Sequence, residues 1–338
     1  MYCCPNCFSD NFLQNHIAAI SNKSGKCDFC KSTNITLLNP EELFDRFEPL
    51  IDIYEEYPNG YPLMDLLQLD WNVFGLPGFR SQQKLLKAVT KSECSATLKY
   101  KAKFLQDKKN IEQWKGFREE LMHKNRFLPN DAPDKAHIEV LSRRYLGVTV
   151  KKGSQTFFRA RINNSDKAFS IKMMGKPPKK KVGNGRANPI GIPYLYVAST
   201  IKTAISEIRG HKGERVTVAE YNLIRDLELV DLRNPKNKIS PFELNDENEL
   251  KLIYTNMPFL KRLGKELSQP IIPSKANLEY LPSQYLSEMF KQIGFHGIIY
   301  KSSIEDGNNY VIFAEKKLKP IQTHQYRISD TNISIDRI

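Results

Sequence analysis

Gly185-Arg186-Ala187-Asn188-Pro189-Ile190-Gly191-Ile192-Pro193-Tyr194-Leu195-Tyr196 runs on through Val197-Ala198 to Thr203-Ala204-Ile205-Ser206-Glu207, and its reading decides the fold. A loop punctuated by glycine and proline carries one arginine and delivers the chain into a short apolar run, 194–198, of strand composition. Ser199 or Thr200 is a cap for a helix expected over 200–209, with Glu207 near its end. Upstream, Phe157-Phe158-Arg159-Ala160-Arg161 belongs to a strand pattern over 156–162, whose alternation sends Arg159 and Arg161 to one face. Downstream come Gly297-Ile298-Ile299-Tyr300-Lys301-Ser302 and Asn309-Tyr310-Val311-Ile312-Phe313. Arginines, tyrosines, one glutamate and one serine thus sit at the ends of short apolar strands. That pattern suits a pocket for an anionic, aromatic ligand such as a dinucleotide.

Further strands are expected over 216–223 and 227–232, and a helix over 283–292. Helices and strands do not alternate regularly, so the C-terminal half reads as mixed α+β. Neither G-x-G-x-x-G nor G-x4-G-K-[ST] occurs, which argues against a Rossmann or P-loop phosphate site. Phosphates would have to be held by side chains, and the charge distribution agrees. The net charge is +13, and 29 basic against 17 acidic side chains place +12 of it in 151–320. Residues 151–186 hold 11 basic side chains and one acid, Asp166. A field so concentrated attracts phosphates, whether of a nucleotide or nucleic acid, or an acidic protein. Lys176 and Lys179-Lys180-Lys181 read equally well as a solubilising face.

No apolar window approaches the 18 residues of a membrane span, and Met1-Tyr2-Cys3-Cys4-Pro5 does not open a signal peptide. The expected location is the cytoplasm, where cysteines serve as metal ligands or free thiols rather than disulfides. Five of the six cysteines fall in the first thirty residues. Cys4-Pro-Asn-Cys7 and Cys27-Asp-Phe-Cys30 form two C-x2-C knuckles, the spacing that brings four thiolates onto one structural zinc. Cys3 is an alternative to Cys4, and His16 a weaker substitute. Cys94 stands alone and reads as a small buried residue.

Between 39 and 148 an all-helical domain is expected. Leu43, Phe44, Phe47, Leu50, Ile51 and Tyr54 recur at helical spacing after Asn39-Pro40-Glu41-Glu42, and Pro49 suggests two short helices. Leu85, Leu86 and Val89, then Ile111, Trp114, Phe117 and Leu121, suggest more. Arg118-Glu-Glu-Leu-Met-His123 matches the R-x4-H pattern, and this segment resembles a HEPN domain. In a ribonuclease of that kind His123 would move a proton while Arg118 steadied the phosphate. Five positions on a helix rotate by about 140°, so the pair needs a helix end or a partner subunit to converge. The plainer reading of both residues is structural.

Residues 150–320 resemble the RES domain, a bacterial family named for a characteristic Arg, Glu and Ser. The resemblance rests on Arg159, Arg186 in Gly-Arg-Ala-Asn-Pro, Tyr196 in Leu-Tyr-Val-Ala and Glu207 in Thr-Ala-Ile-Ser-Glu. Ser302 in Gly-Ile-Ile-Tyr-Lys-Ser and Tyr280-Leu281-Pro282-Ser283-Gln284 complete it. Phe158 stands where a tyrosine often precedes the first arginine. The resemblance implies an ADP-ribosyltransferase-like fold and an NAD-consuming enzyme, an NAD phosphorylase or glycohydrolase acting as a toxin or defence effector. It also implies NAD as substrate, an antitoxin or regulatory partner, and, by analogy, a homodimer. The expected organisation is a zinc ribbon (1–38), a HEPN-like helical domain (39–148), a RES domain (149–322) and a tail (323–338).

The chemistry can be argued from the residues. Nicotinamide leaves NAD neutral, so no general acid is needed; oxocarbenium-like charge on the ribose must be stabilised. Glu207 is the candidate for that, Arg159 and Arg186 for forked contacts to the diphosphate, Tyr196 for stacking on nicotinamide, and Ser302 for a hydrogen bond to ribose or carboxamide. Three other readings compete. One is a HEPN-type ribonuclease using Arg118 and His123, with the basic module holding RNA. Another is a nucleic-acid-binding protein made of a zinc ribbon and a basic domain, though 151–186 shows no readable recognition motif. The last is protein ADP-ribosylation.

Overall fold

The computed structural model describes residues 1–91, 98–104, 109–130, 132–244 and 246–330. Cys94 lies outside them. The chain divides into two compact units, one of Met1–Asn110 with Asn234–Lys261, the other of Ile111–Arg233 with everything from Arg262 onward. These divisions fall elsewhere than the expected boundaries at 38 and 148.

In the first unit β1 (Lys23–Gly25) pairs antiparallel with β2 (Ile35–Leu37), and a bridge joins Cys3 to Leu38. Helices lie at Phe44–Ile51, Leu63–Trp71 and Phe79–Val89. Phe47 packs on Phe8, Phe74 and Phe242, with ring centroids 6.3, 6.2 and 4.8 Å away. The segment is not all-helical, however. Tyr54 closes no helix; it begins β3 (Tyr54–Pro62), which pairs antiparallel with β4 (Lys99–Ala102). The apolar period ends at Ile51, and the strand beyond it contains Pro58, Gly60 and Pro62, which no helix interior accommodates. A Cβ at Gly60 would lie 2.1 Å from the Tyr100 carbonyl oxygen, so only glycine permits this approach.

The second unit is built on an eight-stranded sheet. Its strands are β5 (Gly147–Val150), β6 (Thr156–Ile162), β7 (Leu195–Ala198), β8 (Arg215–Leu223), β9 (Leu227–Asp231), β10 (Gly297–Lys301), β11 (Asn308–Ile312) and β12 (Leu318–Arg327). The order is β12-β8-β6-β7-β11-β10-β9-β5, antiparallel throughout except for β9 with β10. β12 pairs with β8 as far as Arg327, past the boundary expected at 322. One face buries Phe157, Leu195, Tyr221, Leu229, Ile299 and Tyr310. On the other, Ala160, Ala198, Ala204 and Val218 meet. Such small side chains let the helix Ile201–Glu207 lie close against the sheet. Thr200 caps it, its Oγ1 accepting from the Thr203 amide at 3.0 Å. The helices Lys109–His123, from Ile111 on, and Leu281–Ile293 also belong here. No helix among the described residues is long and apolar enough to cross a membrane.

Gly297 lies opposite Ile312 at the centre of the sheet, and a Cβ there would sit 2.3 Å from the Val311 carbonyl oxygen. Gly297→Ala should therefore destabilise the fold by about 1–3 kcal/mol through overpacking. An unchanged midpoint in denaturant unfolding would contradict this register.

Candidate functional site

β6 and β7 share one rung, Phe158 with Ala198, and then part. The Arg159 side chain spans the gap, Nη1 donating to the Tyr196 carbonyl at 3.0 Å, while its buried Nε has no hydrogen-bond partner among the described residues. Burial holds this guanidinium below the usual arginine range. A cavity of about 520 Å³ opens at the split, an ordinary size for a small-molecule site. Arg159, Arg186, Tyr196 and Glu207, four residues singled out in the sequence, all line it, together with Tyr280 and Asn309. Ser302 does not line it but stands beside Glu207.

The Glu207 carboxylate is fixed from one side. Ser302 Oγ receives the amides of Ile304 and Glu305 at 3.2 and 3.3 Å, so its own proton goes to Glu207 Oε1, 2.6 Å away. Asn309 Nδ2 donates to the same oxygen, also at 2.6 Å. Oε2 has no donor among the described residues. The Ser302 turn is tied to the helix that carries Glu207. Thr203 Oγ1 donates to the Asp306 carbonyl at 3.1 Å, and a Cβ at Gly307 (φ +147°) would lie 2.1 Å from that same hydroxyl oxygen. Asn309 carried no role in the sequence reading, because asparagine ahead of a strand reads as a turn residue. Tyr300, beside Glu207, also lines the cavity; burial raises its pKa and that of Tyr196, so both stay protonated.

Arg186 is presented by a clamped loop. Tyr196 Oη donates to Asn188 Oδ1 at 2.8 Å and accepts from the Ala187 amide at 3.0 Å. Gln284 Nε2 reaches Asn184 Oδ1 and the carbonyls of Gly185 and Asn188 at 2.7, 2.8 and 3.1 Å, and Ser283 Oγ donates to the Arg186 carbonyl. A Cβ at Gly185 would meet Asn188 Oδ1 at 2.3 Å. Arg186 itself donates Nη1 to the Gln269 carbonyl at 2.8 Å and lies 5.6 Å over the Tyr280 ring. Tyr280-Leu-Pro-Ser-Gln284 was a visible signal, but what those side chains hold was not.

The four knuckle sulfurs, Cys4, Cys7, Cys27 and Cys30, lie within 4.8 Å of one another. Adjacent pairs are 3.3–3.9 Å apart. Tetrahedral zinc–thiolate bonds of about 2.3 Å place sulfurs ~3.8 Å apart, so the cluster has the dimensions of a closed metal site. Cys3 is not the alternative to Cys4: its Sγ faces the Leu38 carbonyl at 3.5 Å. His16 is not one either, being stacked on Phe12.

Arg118 is engaged elsewhere. Its Nη2 lies 2.7 Å from Glu279 and its Nε 3.3 Å from buried Glu266. His123 is exposed at the helix end. Asp231 and Arg233 form a two-pronged pair at 2.9 and 2.6 Å.

A family model described as "RES domain" matches residues 156–331. The chain belongs to the RES domain family. Among solved structures, a chain from the M. tuberculosis MbcT–MbcA toxin–antitoxin complex is similar at 13% identity, covering 58% of this chain and 94% of that one with a TM-score of 0.34. No curated protein matches.

The loop of this RES domain rests on Gln284. Gln284→Leu leaves the Gly185 carbonyl and Asn184 Oδ1 without this donor, while the Asn188 carbonyl keeps the Gly185 amide, a cost of about 1–3 kcal/mol. The thermal midpoint should fall, and hydrogen exchange at 185–188 should rise more than in the strands. Equal protection of that loop in both proteins would show that Gln284 does not hold it.

Proposed function

We propose that this RES domain degrades NAD by breaking the bond between ribose and nicotinamide, with water or phosphate as acceptor, and acts as a toxin or defence effector by depleting NAD. The observation that carries this reading is a carboxylate held by Ser302 and Asn309 through one oxygen, its other oxygen without a donor among the described residues, on a residue that lines a cavity together with Arg159 and Arg186. As the C1–N bond breaks, its electron pair passes to the pyridinium ring and positive charge develops on the ribose. Glu207, already oriented, stabilises that charge with little reorganisation. Arg159 and Arg186 serve the diphosphate. Arg159 gains most, since an anion beside its buried guanidinium offsets the desolvation that lowers its pKa. Ser302 acts through Glu207 rather than on the ligand, and Tyr196, which lines the cavity, fixes the Arg186 loop through its hydroxyl. The ribonuclease reading is not favoured, because the Arg118 guanidinium is hydrogen-bonded to Glu279 and lies beside the buried Glu266.

Glu207→Gln should lower kcat by roughly a hundredfold or more while leaving NAD binding nearly intact, since it removes the charge and keeps the size. Arg159→Ala and Arg186→Ala should raise KM first, because the diphosphate is present before and during bond breaking. Titration of NAD beside a nicotinamide-release assay separates the two effects. Near-normal turnover in Glu207→Gln would sink the mechanism.

The four-cysteine cluster is assigned to one structural zinc. Metal analysis of purified protein should find one zinc per chain, lost in a Cys4→Ser/Cys27→Ser variant, with residues 1–38 becoming protease-sensitive. Free, titratable thiols at Cys4, Cys7, Cys27 and Cys30 with no metal in the native protein would rule this out.

A further inference from the structure

Arg186 has two contacts, and each comes from a segment anchored by the same distant side chain. The first is the Gln269 carbonyl, three residues beyond Glu266. Glu266 is fully buried and held by Arg262 Nη2 and Trp114 Nε1 on Oε1, at 2.8 and 3.0 Å, and by Arg118 Nε at 3.3 Å from Oε2. The second is the Tyr280 ring, next in the chain to Glu279. Glu279 is held by Arg118 Nη2 at 2.7 Å. Arg118 is therefore hydrogen-bonded to Glu279 and within ion-pair distance of Glu266, one glutamate in each of the segments that touch Arg186. The four charged groups, Arg118, Arg262, Glu266 and Glu279, balance to zero. Removing Arg118 leaves Glu266 with Arg262 but strips Glu279 of its cation. An uncompensated carboxylate in a partly buried place seeks a new one, and Arg186 lies over the ring of the neighbouring residue.

We propose that Arg118 is a positioning residue for the substrate pocket: it fixes the two segments that support Arg186 and keeps Glu279 from capturing that guanidinium. The substrate half of this inference rests on the NAD reading above; the charge relay does not.

Two readouts separate them. In steady-state NAD turnover, Arg118→Gln should raise KM by roughly tenfold with kcat little changed, as expected for loss of a ground-state contact. Adding Glu279→Gln, which removes the freed charge, should bring KM back to within about twofold of wild type; loss of mere structural support would not be repaired this way. Without any substrate, labelling of Arg186 by phenylglyoxal, tracked by mass spectrometry, should slow in Arg118→Gln and recover in the double variant. Should Arg118→Gln not fold, Arg118→Lys takes its place. One ammonium cannot grip two carboxylates as a guanidinium does, so the same changes are expected at smaller size, roughly threefold. Unchanged Arg186 labelling, or a double variant as impaired as the single one, overturns the proposal. Labelling that behaves as expected in a protein that neither binds nor consumes NAD upholds the relay and overturns only the substrate.

Discussion

Strands β6 and β7 meet at a single rung, Phe158 with Ala198, and the site depends on what happens where they separate. A continuous ladder would leave no room for a ligand within the sheet. Parting exposes backbone carbonyls that must be satisfied, and Arg159 does this for Tyr196 with a charged side chain instead of an amide. The substitution places a guanidinium inside a cavity and leaves part of its hydrogen-bonding capacity unused. The alanines at 160, 198 and 204 then matter as much as the charged residues. They allow the helix bearing Glu207 to approach the split closely enough for its carboxylate to reach the cavity.

Hydrogen-bond direction sets the site's polarity. Two backbone amides fill the acceptor side of Ser302, which leaves its proton for Glu207. Asn309 and Ser302 both address one carboxylate oxygen, so the carboxylate is oriented while its second oxygen has no donor among the described residues. Across the cavity the same economy holds the Gly185–Asn188 loop: a glutamine amide, a tyrosine hydroxyl and a serine hydroxyl satisfy a chain that has no regular structure of its own. Arg186 is thereby presented from a loop whose backbone groups find partners as those of a regular element do.

Much of this was legible in the sequence. Glycine and proline bounded the loops, β-branched and aromatic runs marked the strands, and Thr200 announced its helix, so Arg159, Arg186, Tyr196 and Glu207 could be placed at strand and helix ends. The double C-x2-C spacing implied the sulfur cluster, because two intervening residues suffice to turn two thiols together. These are local matters, governed by backbone geometry within a few residues. Tyr54 shows the limit: it continued an apolar period by chance, and only its pairing with Ala102 made it a strand.

Partners were not legible. Ser302 and Glu207 are 95 residues apart, Gln284 and Gly185 are 99, and Arg118 and Glu279 are 161. A serine, a glutamine or an arginine carries no mark of which distant group it will meet. Chain packing decides that, by leaving a buried donor or acceptor that one side chain can reach. Sequence alone thus determined which chemical groups the chain could offer and where its local elements begin. The tertiary structure decided that Ser302 and Asn309 meet Glu207, that Gln284 reaches the Gly185–Asn188 loop, and that Arg118 lies between two glutamates, because satisfying a polar group in a low-dielectric interior depends on every neighbour around it.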